Sequence, residues 1–264
     1  MEIDSFLEKR DPLKPLTANI NLCSIFRTIG CVGDSLSSGE FEERKADGEK
    51  HYHDLYEYSW GQFMARDLGC KVYNFSKGGM TAEKYCECFA EENGFWEADK
   101  ACQAYIFALG VNDILVLGKE VGSVADVDLN NYRNNKPTFA GYYAQIIQRL
   151  KEISPDAKFF FMTMPRDSRQ TEEKKQSADL HAKLIHDFAK MFSNSYVLDF
   201  RKYAPDYGEE FRKKYYLGGH MNPVGYVLTA CMVETYIDYI IRSNFKDFKQ
   251  VGFAGTKYYL ENLE

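Results

Sequence analysis

The sequence predicts an α/β fold in which a parallel sheet is covered by helices on both faces, and three observations carry that expectation. Five short apolar runs, at residues 26–32, 71–75, 104–109, 158–163 and 195–200, have the length of buried strands. Longer amphipathic stretches, at 59–68, 81–91, 138–153, 172–192 and 223–243, lie between and after them. Strands alternating with helices indicate βαβ units, whose parallel strands need a crossover.

In chain order, residues 1–24 carry Pro12 and Pro15 and read as an irregular arm laid on the domain, so that 25–264 form one domain. The first run holds Cys31 and reads as a core strand. A charged and aromatic connection, 39–58, follows it directly. In the stretch 138–153, Phe139, Tyr142, Tyr143, Ile146, Ile147 and Leu150 recur at helical spacing and define one apolar face. The connection 115–137 is polar and longer than most loops in compact domains, which suggests a lid or pocket wall. No internal repeat interrupts this order.

A domain of 264 residues buries roughly three quarters of its unfolded surface and needs neither disulfide nor metal to fold. The net charge of −6, with no basic stripe, argues against a nucleic-acid partner. The seven cysteines are scattered, and Cys31, Cys102 and Cys231 sit in apolar surroundings where thiols act as small hydrophobes. Cys86-Glu87-Cys88 is too short and isolated for a zinc site. Charges run through Met1–Arg10, unlike a signal peptide, and no run reaches the ~18–20 apolar residues that span a bilayer. The expectation is a soluble, cytoplasmic protein with no membrane partner.

In parallel sheets ligands bind beyond the C-terminal strand ends, so the residues after each run come next. Gly33-Asp34-Ser35-Leu36 follows the first run. Ser35 there either presents a hydroxyl at the sheet edge or merely caps a turn. Asn74-Phe75-Ser76-Lys77-Gly78-Gly79-Met80-Thr81 closes the second run, as anion-facing backbone N–H groups or as a tight turn capped by Thr81. Gly110-Val111-Asn112-Asp113 follows the third, with Asn112 as an oxyanion donor or part of a turn. His220, before the last helix, is a general base or a capping residue. Together they form the set that acyl transfer requires: a nucleophile, preorganised donors and a base.

These four segments resemble the SGNH, or GDSL, hydrolase family in order and spacing across residues 25 to about 240. The resemblance implies a flavodoxin-like three-layer α/β/α sandwich with a five-stranded parallel sheet, no cofactor, and a small-molecule ester as substrate. It implies Ser35 as nucleophile, His220 as base, and an oxyanion hole from the N–H groups of Ser35 and Gly79 with the Asn112 amide. One position departs. The family usually places Asp three residues before the histidine, and Leu217 stands there. A main-chain carbonyl near Leu217 could orient the ring as a dyad. Alternatively an acid reaches in from elsewhere, with Asp199, Asp206, Glu209 and Glu210 as candidates. A third reading is a catalytically impaired binding protein on the same fold. A flavin or nucleotide binder is disfavoured, because the loop after the first run has no phosphate-cradling signature. His51, His53, His181 and His186 read as solvated surface residues. Arg166 and Arg169 could meet an anionic substrate group or make surface pairs.

Overall fold

The computed structural model describes residues 21–260. Of the expected arm, residues 1–20 lie outside the described residues; from Asn21 on the chain is tied to the last long helix. There Asn21 Nδ2 donates to Glu234 and the Leu22 N–H to Asp238.

Five strands form the expected parallel sheet: β1 (Thr28–Gly33), β4 (Lys71–Ser76), β5 (Ala104–Ala108), β6 (Lys158–Met162) and β7 (Ser195–Leu198), in the order β4-β1-β5-β6-β7. Each begins or ends within two residues of its apolar run. The period of two along these strands feeds two separate cores. Val32, Tyr105, Phe107, Phe159 and Phe161 face one of them, and Ile29, Cys31, Ala104, Ile106 and Phe160 face the other. Apolar side chains on both faces are what burial between two helical layers demands.

The helices are α1 (Ser35–Ser38), α2 (Trp60–Leu68), α3 (Ala82–Lys84), α4 (Ala90–Glu92), α5 (Phe139–Ile153), α6 (Glu172–Met191), α7 (Phe200–Tyr203), α8 (Glu209–Tyr215) and α9 (Pro223–Ser243). A π-helical turn, Tyr85–Phe89, joins α3 to α4. Side-chain caps start the main ones: Ser59, Thr81, Thr138, Thr171 and Asn222 each accept a backbone N–H three residues on. The segments α3 to α6 cover one face of the sheet, while α2 and α7 to α9 cover the other. Helix α9 is long and apolar enough to cross a bilayer by length and composition, against the expectation of no such run. Its apolar residues have a local use: Tyr226, Ala230, Val233, Ile237 and Ile241 are buried against the second core.

Two connections depart from plain loops. Residues 39–58 contain an antiparallel hairpin, β2 (Glu40–Arg44) with β3 (Lys50–Asp54). Residues 115–137 are a braced wall, where Asp126 accepts from Ser123 N, Lys136 Nζ and Thr138 Oγ1, and Val121 and Val124 pack on the core. A two-residue ladder, β8 (Tyr216–Leu217) with β9 (His220–Met221), turns the chain into α9. Cys231 is exposed, not buried as expected; it falls on the outer side of α9.

Ile147 is fully enclosed by the first core. Ile147→Ala should therefore cost about 2–5 kcal/mol in denaturant unfolding, with the m-value unchanged. A loss well under 1 kcal/mol would mean that the layer between α5 and the sheet is not packed as described.

Candidate active site

The chain passes from β1 to its neighbour on one side, β4, and then returns to pair β5 on the other. The strand order therefore reverses at β1, which opens a crevice beyond the C-terminal ends of β1 and β5. Ser35 follows β1 and Asn112 follows β5.

Ser35 begins α1, a single helical turn held at both ends. The Asp34 carboxylate accepts the Leu36 N–H at 3.1 Å, and the Gly39 N–H donates to the Ser35 carbonyl. Gly39 adopts φ +80°, and a Cβ there would press against the Leu55 carbonyl. Burial, then the neighbouring carboxylates of Asp113 and Glu40, pushes Asp34 up to about 7 against the pull of the Leu36 N–H.

The second and third segments are laced together. Asn112 Nδ2 donates to the Met80 carbonyl at 3.0 Å, and the Asp113 carboxylate accepts the Ala82 N–H at 3.1 and 3.2 Å. These bonds fix the Asn112 amide beside the Gly79 turn, where Gly79 has φ +68°. Behind Asn112, Gly110 takes φ +127°, and a Cβ there would meet His181 and Met164 at 3.0 Å. His181 is fully buried rather than a surface residue, because its helical phase places it with Ala178, Ala182 and Ile185. Burial lowers its pKa to about 4, so it is a neutral wedge.

Ser35, Asn112 and His220 line one cavity of about 310 Å³, with Leu109, Met162 and Met164 among its apolar wall residues. Gly79 is not among the residues that line it; its neighbour Met80 accepts from Asn112 through the main-chain carbonyl. No hydrogen bond joins Ser35 to His220 among the described residues. Burial lowers the His220 pKa, opposed by Glu42, and leaves the imidazole neutral near pH 7.

Among the described residues, no main-chain carbonyl accepts from the His220 ring, contrary to expectation. Leu217 pairs with His220 in the β8–β9 ladder, its side chain is half exposed, and the Gly218 carbonyl instead accepts from Arg212 at 3.1 Å. His220 Nδ1 is enclosed without a hydrogen bond. None of the four candidate acids contacts the ring among the described residues. Asp199 is taken by Thr163, His186 and the Lys202 N–H; Asp206 by the Ser168 and Gly208 N–H groups; and Glu210 by Lys213. Glu209 sits in the first turn of α8.

Two carboxylates that sequence reasoning passed over are there instead. Glu40 Oε1 lies 3.0 Å from His220 Nε2. Glu42 Oε2 accepts the Gly219 N–H at 2.7 Å, and a side chain at Gly218 or Gly219 would collide with it. Burial would raise Glu42, but the Gly219 N–H, Lys50 and Arg44 outweigh it and hold it at about 2. Both acids come from β2, in the connection 39–58.

The remaining candidates are accounted for locally. His51 and His53 pair with Glu49 and Glu43 on the hairpin, and Arg169 with Asp167. Arg166 donates to the Ala204 carbonyl.

The description "GDSL-like Lipase/Acylhydrolase family" belongs to a family model that matches residues 31–228. Among solved structures, the chain resembles a family two carbohydrate esterase from Clostridium thermocellum, solved with cellohexaose (15% identity, TM-score 0.56, covering 82% of this chain and 65% of that one). It also resembles a family two carbohydrate esterase with a carbohydrate binding domain from Corynascus thermopiles (13%, 0.56, 82% and 67%). A third is a possible lipase from Chitinophaga pinensis (15%, 0.51, 82% and 98%). At these identities the likeness is one of fold. A comparison with curated proteins gives no match. Fold and family together define an ester-bond hydrolase. The chain belongs to the GDSL-like lipase/acylhydrolase family.

Glu42→Gln tests the pinned turn. The folded-state pKa of about 2 lies below the ordinary 4.5, so the stabilisation is complete above about pH 4.5 and disappears as pH falls toward 2. The variant should be less stable than the parent at pH 7, with the difference shrinking across that window. A pH-independent difference in denaturant midpoints would contradict the charge-assisted dock.

Proposed function

We propose that the chain hydrolyses small carboxylic esters through an acyl-enzyme on Ser35, with His220 as general base. The single observation that carries this reading is the shared cavity of Ser35, Asn112 and His220 at the sheet's switch point. The hydroxyl proton passes to the imidazole as Ser35 Oγ attacks the ester carbonyl carbon. The tetrahedral oxyanion is received by the Ser35 N–H and the Asn112 amide, the two donors of the expected hole that line the cavity. The imidazolium returns the proton to the leaving alkoxide, and water repeats the sequence to release the acid.

The cavity favours a short acyl group, such as acetyl, on a hydroxylated alcohol. Leu109, Val111, Leu115, Met162 and Met164 offer an apolar wall. Gln170, also lining it, has a buried Oε1 without a protein donor, an acceptor suited to a sugar hydroxyl. The two structural neighbours described as carbohydrate esterases point to the same class.

A panel of p-nitrophenyl acyl esters and acetylated sugars tests the reading. Ser35→Ala should abolish turnover, and Asn112→Ala should lower kcat by roughly 10²–10³ with little change in KM. Parental kinetics in either variant would refute the assigned role. Because burial depresses the His220 pKa, kcat/KM should rise with pH through an apparent pKa below 6.5. A rise only above pH 7 would point to a different base.

A further inference from the structure

We infer that Glu40 is the carboxylate that positions His220 and supports its imidazolium, acting from the β2–β3 hairpin where the family would use an aspartate at position 217. The inference rests on the Ser35–His220 reading. Along β2, alternate residues share a face, so Glu40 and Glu42 both point at the turn that carries His220. Glu42 holds the turn's backbone through Gly219 N, and Glu40 Oε1 stands 3.0 Å from the ring's Nε2. Both members of that contact are largely shielded, with side chains 14% and 16% exposed, so the charge acts in a medium of reduced dielectric.

Glu40 is itself positioned, at its main chain and at its carboxylate. The Tyr226 hydroxyl of α9 donates to the Glu40 carbonyl at 2.7 Å. On the other side Gly78 leaves room that any side chain would take from Glu40 Oε2. The Tyr52 ring makes a T-shaped contact with the imidazole at 5.5 Å between centroids. With Nε2 facing Glu40, Nδ1 is the nitrogen with no protein partner. Nδ1 is therefore the nitrogen left to receive the Ser35 proton, and the new positive charge faces the Glu40 carboxylate, whose pKa burial and then Asp54 raise. The carboxylate stabilises the imidazolium without accepting its proton.

The test compares the parent, Glu40→Gln, Glu40→Asp and Glu43→Gln on p-nitrophenyl acetate, together with an NMR titration of the His220 imidazole. The other charged groups facing that ring are Glu42, Asp54 and Lys50 from the hairpin and Arg212 from α8, and all are retained. Glu40→Gln should lower kcat by about 10²–10⁴ with KM within about threefold, and should lower the His220 pKa. Glu40→Asp, which keeps the charge but withdraws it by a methylene, should fall in between. Glu43→Gln, on the opposite face of β2 with His53, should match the parent. A kcat for Glu40→Gln within about threefold of the parent, or an unmoved imidazole pKa, would overturn the assignment. So would a rise in kcat, which would mean that Glu40 holds the ring away from Ser35. If Glu40→Gln does not fold, Glu40→Asp decides by the same two readouts. Full activity in Ser35→Ala would instead sink the underlying serine mechanism, whatever Glu40 does.

Discussion

The reversal of strand order at β1 is the constraint on which the site depends. Because β4 and β5 flank β1 on opposite sides, the loops leaving β4 and β5 meet beside the chain that leaves β1 between them. Two loops that are far apart in sequence are thereby forced together, and the main-chain groups at their tips need partners. Asn112 and Asp113 supply them, bonding Met80 and Ala82 across the gap. The arrangement around the proposed oxyanion hole is thus a consequence of closing a sheet edge.

His220 is held by a different principle. It lies on the two-residue β8–β9 ladder, outside the five-stranded sheet. The hairpin inserted directly after α1 supplies the missing constraint, by docking Glu42 on Gly219 and bringing Glu40 to the ring. Nucleophile, first turn and hairpin are consecutive in the chain. Movement of the base away from the serine therefore has to break the Glu42–Gly219 bond and the Glu40 contact, or carry residues 34–44 with it.

The sheet and the long helices were legible because each is apolar on the faces it buries, and the Ser, Thr and Asn caps mark where helices start. The N-terminal residue of α9 coincides with Pro223, a residue suited to the first helical turn. The hairpin was not legible. Its sequence, Glu40-Phe41-Glu42-Glu43-Arg44 with Lys50-His51-Tyr52-His53-Asp54, has almost no apolar alternation, and its anchors are distant in sequence, at Gly219 and Tyr226. For the same reason the acids were sought elsewhere in the chain, where Asp199, Asp206 and Glu210 turned out to be capping or pairing locally. His181 shows the opposite case. Its helix reads as polar overall, yet Ala178, Ala182 and Ile185 already marked the buried face on which it lies.

Chemical modification of the nucleophile tests the central claim most directly. A fluorophosphonate probe, followed by peptide mass spectrometry, should place a single adduct on Ser35, and the rate of labelling should fall sharply in His220→Ala. An adduct on another residue, or labelling of Ser35 at the parental rate in His220→Ala, would contradict a serine activated by this histidine.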